Sequence, residues 1–248
     1  MKHFLFLLIL IVTFLVSESC KKANFCDCIK RSGEIDTVQI YFEKIYSLEV
    51  YKMFNIYIIQ DTINKAVIET NKNLLDLIEI TKDDSLLIVT DNNICNFTRS
   101  YENEINVYLH LTNLREIFLW GPSKINSIDT LTFKHLLIRV YDDIGDVNLT
   151  IVNDHVWLEY WFATGNATLH GSTTFFEILT HGYAYIHAYD FRSRYVSINQ
   201  NCTGDTEVYP LDEIKVKIND IGNIYYKGNP YLINILENNS SGELIHVE

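Results

Sequence analysis

The sequence predicts an all-β fold, a right-handed parallel β-helix (a β-solenoid) with a β-rich N-terminal part. Three observations lead there. Seven glycines, at 121, 145, 165, 182, 204, 222 and 242, fall on one irregular period with gaps of 24, 20, 17, 22, 18 and 20 residues. From Gly145 onward each opens a short phrase, "GDVNL", "GNATL", "GYAYI", "GDTEV", "GNIYY", with apolar or small residues at alternate positions. No stretch among these phrases carries helical periodicity. Alternation with a period of two marks a strand with one buried face. A repeat of about 20 residues, built from short strands, marks coils stacked one on another, each burying its apolar side only against its neighbours. An antiparallel sandwich or barrel, with turns about every 8–12 residues, is the competing architecture. The in-register return of one phrase favours coils, and parallel crossover connections favour the right hand.

The chain opens "MKHFLFLLILIVTFLVSESC". Lys2 and His3 give a short positive start, and Phe4–Val16 is an apolar run interrupted only by Thr13. A bilayer span needs roughly 18 or more apolar residues. The shorter run predicts a signal peptide over residues 1–19. Ser17, Ser19 and Cys20 resemble the lipobox of bacterial lipoproteins, in its serine-rich Bacteroidetes form. That resemblance implies cleavage before Cys20 and lipidation there, with residues 20–32 as a tether. It places the protein in the cell envelope, held on the outer membrane with its domain on the periplasmic face or the cell surface. Each buried acyl methylene contributes roughly 0.8 kcal/mol, so several chains anchor stably. Cys26, Cys28, Cys95 and Cys202 remain. Export permits disulfides, but the pairing is open. "CDC" at 26–28 is too tight to bridge within itself, and no CxxC partner offers a zinc site.

The domain is expected over 33–248, with an N-terminal β part at 33–110 and repeat coils at 111–248. In the first part "YSLEVYKMFNIYIIQ", "KAVIETN", "LLIVTD" and "EINVYLHL" read as strands, and "NKNLLDLIE" is a short helical hint. In the coils, "LLIRVYD" puts Ile138 and Val140 inward, and "VWLEYWF" puts Val156, Leu158, Tyr160 and Phe162 inward. "YVSINQN" does the same with Val196 and Ile198. "IKVKIND" sends Ile214, Val216 and Ile218 inward and Lys215 and Lys217 outward. Ile218 is expected to stack between Ile198 and Ile235. Gly171 and Gly228 mark a second corner, where glycine tolerates positive φ and close backbone approach.

Longer stretches carry a resemblance. "CDCIKRSGE", "NLLDLIEI", "DDSLLIVT", "CNFTRSYENEINVYLHLTNLREIFLWG" and "VYPLDEIKVKINDIGNIYYKGNPYLI" resemble the auto-transporter adhesin head GIN domain family of Bacteroidetes lipoproteins, across about 26–245 by their order and spacing. The resemblance implies a β-helical fold similar to pectin-lyase-like architectures, no catalytic residues, and adhesion. "WGPSKI" at 120–125 and "GYAYIHA" at 182–188 depart from the family by being bulkier.

A net charge of −12 without a Lys/Arg cluster argues against nucleic acid, whose phosphates require concentrated positive charge. No GxSxG, HExxH or phosphate-binding glycine loop is present, so no catalytic residue, metal or cofactor is expected. Asp142, Asp143 and Asp146 crowd one corner; they suit a calcium site or, more simply, turn chemistry. His170, His181 and His187 fall in adjacent coils and would need a carboxylate such as Asp190 to do acid–base or metal work. The aromatic residues point elsewhere. If Trp157 and Trp161 faced inward, Glu159 would lie in the core without a partner, which is costly. The tryptophans are therefore expected outward, beside Tyr141 on the neighbouring coil. Tyr141, Trp157 and Trp161 are the expected ligand-binding residues, for a glycan or a protein. Arg139 and Glu159 are expected to pair as a rung between coils. The function expected is a membrane-anchored, non-catalytic binding or adhesion domain. A polysaccharide lyase or hydrolase on the same scaffold and a structural envelope protein are the alternatives.

Overall fold

The computed structural model describes residues 33–93, 104–141 and 144–248. The signal peptide, Cys20, the tether with Cys26 and Cys28, Cys95, Asp142 and Asp143 lie outside the described residues. The protein is all-β. Strands β1 (Ile35–Phe42), β2 (Ser47–Val50), β3 (Asn55–Gln60) and β4 (Asn64–Asn71) precede helix α1 (Lys72–Leu75). Then come β5 (Ile78–Asp83), β6 (Leu86–Asp91), β7 (Asn106–Leu111), β8 (Glu116–Leu119), β9 (Lys124–Ser127) and β10 (His135–Tyr141). The run Asp146–Cys202 is extended throughout and is termed β11; β12 (Thr206–Ile218), β13 (Ile224–Tyr226), β14 (Leu232–Asn238) and β15 (Leu244–His246) follow.

One sheet holds all fifteen strands. It is barrel-like and nearly closed, because β11 pairs with β9 at its start and with β10 further along. Antiparallel pairs occur at the N-terminal end, β1 with β4, β4 with β7 and β5 with β6. The pairings among β8–β15 are parallel. Ile138 lies beside Leu158, Ile186 beside Thr206 and Ile224 beside Leu244, each partner one glycine period further along the chain. The N-terminal part shares this ladder: β2 lies between β6 and β8, so Leu48 sits on Ile117. Among the described residues no helix is long and apolar enough to cross a membrane.

The core is a set of columns made by the inward positions. Leu48, Ile117, Ile138 and Leu158 form one; Val50, Leu119, Val140 and Tyr160 form the next, and all are buried. Tyr160 is accommodated because its hydroxyl donates to the Gly145 carbonyl at 3.0 Å, and burial pushes its pKa far up.

The glycines stack too, in a register slightly different from the sequence period. A Cβ on Gly204 would meet the carbonyl of Ala184, and one on Gly182 the carbonyl of Ala163, 3.0 Å away. The column over which carbonyls pass is thus Gly145, Gly165, Ala184, Gly204, Gly222 and Gly242, with Gly182 offset by two. Two inward assignments are corrected. Phe162 is exposed at φ +53°, so the alternation breaks there and Ala163 is buried instead. Ile218 is buried as expected, but its register partners are Gln200 and Asn238; Ile198 and Ile235 flank Val216.

Candidate binding face

The outward positions of β2, β8, β10 and β11 form a lattice, because parallel in-register strands place side chains about 4.8 Å apart along each column. One edge column is aromatic. Tyr51 stacks on Trp120 at 6.1 Å, Trp120 on Tyr141 at 4.0 Å, and Trp161, the register partner of Tyr141, on His181 at 4.9 Å. Asn201, Asn219 and Asn239 continue that side as a hydrogen-bonded asparagine ladder. A second aromatic series brings His155 against Phe175 at 5.4 Å and Phe175 against Tyr195 at 5.1 Å.

Between them lie the charged columns. Arg139 sits beside Glu159 in register and the two are ion-paired, which raises the Arg139 pKa chiefly through that hydrogen bond. Glu159 also accepts from the Trp161 indole at 3.1 Å. Glu49 accepts from the Tyr51 hydroxyl, and burial, then that hydrogen bond, push the Tyr51 pKa up to about 12.

An open cleft of about 320 Å³ lies in this lattice, lined by Arg115, Glu116, His135, Leu137, Arg139, Trp157 and Glu159. It opens over Leu137. Leu137 is the register partner of both Glu116 and Trp157, so the column dips at Leu137 between two longer neighbours. Leu137 is the floor and Trp157 a wall. Trp157 is held by His155, stacked at 3.3 Å, which in turn bonds Glu177 at 2.7 Å. Desolvation dominates at His155 and lowers its pKa, against the opposing pull of Glu177. Arg115 lies over the Tyr46 ring at 4.5 Å. Glu116 accepts from the Ser47 hydroxyl at 2.6 Å.

Tyr141, Trp157 and Trp161 all face away from the core and are half-buried. The structure brings Trp157 alone to the cleft; Tyr141 and Trp161 stand along the strand in the aromatic edge column. The sequence reading missed Arg115, Glu116, His135 and Leu137. Their signal was the coil offset applied to outward positions, as in His135 and His155. The other sequence candidates go separate ways. His170 approaches Asp190 at 3.7 Å, His187 bonds Glu207 at 3.0 Å, and His181 stacks on Trp161. Asp146 accepts from the Asn166 backbone at 3.0 Å, a corner role. Among the described residues no three His, Cys, Asp or Glu side chains gather as metal ligands. Cys202 is free and buried.

An all-β ladder presenting a shallow, aromatic-walled cleft defines a class, the β-sheet domains that display an exposed face. Comparison narrows it. The family model described as "Putative auto-transporter adhesin, head GIN domain" matches residues 42–230, and the chain belongs to this family. A crystal structure titled a putative adhesin from Bacteroides fragilis is similar, with TM-score 0.79 at 18% identity, over 86% of this chain and 97% of that one. A putative adhesin from Parabacteroides merdae superposes with TM-score 0.61 at 16% identity, over 88% and 98%. A protein from Parabacteroides distasonis titled a putative lipid binding protein does so with TM-score 0.60 at 17% identity, over 87% and 98%. At these identities the likeness concerns the fold. No match was found among curated proteins.

Proposed function

We propose that the protein is a lipid-anchored envelope adhesin whose body is a right-handed parallel β-helix and whose cleft over Leu137 binds a sugar unit without catalysis. Parallel pairing between positions one glycine period apart supports the helix reading. Membership of an adhesin family supports the adhesive role. The observation that carries the binding reading is the cleft itself. A pyranose presents an apolar face, which Trp157 and Leu137 match, and a ring of hydroxyls, which Arg115, His135 and Arg139 can donate to and Glu116 and Glu159 accept from.

Both carboxylates already hold internal partners, Ser47 for Glu116 and Arg139 with Trp161 for Glu159. A general acid or base must exchange its proton with substrate, so this arrangement supports binding over the lyase or hydrolase alternative. A purely structural role would leave the cleft unused. Tyr141 and Trp161 belong to the same face, but stacking on Trp120 and His181 covers a face of each ring. They therefore extend the contact by their edges.

The test is a glycan array on the purified protein, with Trp157→Ala and the cleft-filling Leu137→Trp alongside. The expected result is capture of a glycan by the wild type and at least a tenfold loss in both variants, about 1.4 kcal/mol or more. Capture that neither variant weakens, or no capture at all, overturns the reading.

A further inference from the structure

We propose that the C-terminal end of the sheet is a self-association surface, on which β14 pairs antiparallel with β14 of a second copy about a two-fold axis at Asn234. Among the described residues β14 pairs with β12 alone, so its other edge offers a row of free N–H and C=O groups, a template for another strand. The apolar content there is high. Between Tyr231 and Leu236, five large side chains, Tyr231, Leu232, Ile233, Ile235 and Leu236, are 45–92% exposed. A contiguous patch of that kind marks an interaction surface.

Two of the five belong to the core columns. Ile233 sits on Ile214 and Ile235 on Val216, both fully buried. The core columns therefore end uncovered, where a stacked-coil protein ordinarily needs a polar cap.

The apolar pattern of β14 suits a second copy as the cover. An antiparallel pair centred on Asn234 sets Ile233 opposite Ile235 of the other copy, and brings Leu232 to Leu236, the residue that a β-bulge inserts between Ile235 and Glu237. The four isoleucines then continue both core columns across the interface. Asn234 lies beside Lys215 in register and donates to Glu213 at 3.1 Å. On the axis it meets its own equivalent, where an amide both donates and accepts. An interface with the same patch on both sides closes as a two-fold dimer.

Charge permits this approach despite the net −12 of the chain. The one charge on β14 is Glu237, and Lys217 already pairs with it. The edge strands at the opposite end of the sheet differ. β5 carries Glu79, Lys82 and Asp83, and β1 carries Asp36, the charges by which edges resist pairing. β14 contains neither lysine nor proline, and its one irregularity is the bulge at Leu236, beyond the central Ile233–Ile235 pair.

The test is the mass of the purified protein by sedimentation velocity across a concentration series. The wild type is expected to pass from monomer to dimer as concentration rises. Ile235→Lys, a substitution at a half-exposed position, is expected to stay monomeric with the far-UV circular dichroism unchanged. Independently, Asn234→Cys should oxidise to a covalent dimer that the wild type, with its own cysteines, does not form; directly opposed Cα atoms about 4.5–5.5 Å apart suit a disulfide. A wild type that is monomeric at every concentration overturns the proposal. So do a dimer unaffected by Ile235→Lys and open-ended polymers, which signal head-to-tail pairing. A monomer that binds phosphatidylcholine vesicles, and loses them on Ile235→Lys, would reassign the edge to lipid.

Discussion

Gly204→Ala tests the stacking logic at a single methyl group. Gly204 is buried, and its φ lies outside the left-handed range, so alanine meets no intrinsic backbone penalty there. What it meets is the backbone of Ala184 and Tyr185. The new Cβ would stand 2.7 Å from the carbonyl carbon of Ala184 and closer still to the oxygen. Nothing at that point is the free end of a side chain, so backbone must move. Relieving the overlap strains the adjoining links, Thr203 N–H to Gly182 at 3.1 Å and Ile186 N–H to Asp205 at 3.0 Å. Overpacking costs about 1–3 kcal/mol, and weakening two such bonds adds about 1 kcal/mol each. The sum is about 3–5 kcal/mol, a Tm drop of about 6–20 °C for a domain of this size. Gly33→Ala is the control. Gly33 has φ +85°, but its nearest neighbour is a side-chain amide 3.3 Å away, so it carries the conformational penalty alone, about 1–2 kcal/mol. Differential scanning calorimetry on both variants decides. If Gly204→Ala melts within about 2 °C of wild type, less than 1 kcal/mol for this size, the coils are not in the backbone contact from which the prediction is derived.

Leu158→Ala removes a fully buried member of the column beneath the cleft and should lower stability by about 3–4 kcal/mol in urea titrations, since in-register neighbours cannot collapse into the gap. The pH profile of stability should show His155. Its folded pKa is lowered from the ordinary value by desolvation, so below about pH 6.5 the unfolded chain binds the extra proton and stability falls as pH falls, levelling off below the folded pKa. Glu177 and His135 face it. The Tm difference between pH 7 and pH 5 should be smaller in His155→Gln, and an unchanged difference would assign the acid sensitivity to other groups. Cys20→Ala should lose the membrane-associated fraction; equal detergent partitioning of variant and wild type would refute the anchor.

Much of the architecture was legible because two simple rules were obeyed nearly everywhere. Alternation placed Ile138, Leu158, Ile198 and Val216 inward, and all are buried. The glycine period matched the spacing of about 20 residues between parallel register partners. Where the reading slipped, a local backbone feature intervened. Phe162 takes positive φ within β11, which alternation cannot anticipate in a non-glycine residue. The partner of Ile218 was misassigned because the offset from β11 to β12 is shorter at Val196 and Ile214 than at Ile186 and Thr206. A uniform period cannot supply a bulge. Gly182 misled in the same way, since alanine at 184 holds the stacked position that glycine holds elsewhere.

The candidate site was less legible, for a different physical reason. Sequence periodicity states which side of a strand a residue faces, and it correctly turned Trp157, Trp161 and Tyr141 outward. It does not state what covers the ring. Trp120 stacks on Tyr141 and His181 on Trp161, each from an adjacent segment of the sheet, so the same in-register packing that aligns aromatic residues into a ladder also uses up their faces. An aromatic ladder is therefore a weak indicator of a binding platform in a stacked fold. The stronger indicator is an interruption in a column of long side chains. Leu137 between Glu116 and Trp157 is such an interruption, and it yields a concave surface on an otherwise regular lattice. Shortness alone does not suffice, since Ser47 lies between Leu86 and Glu116 in the same column and is not among the residues that line the cleft; Leu137 differs in having the Trp157 ring beside it as a wall.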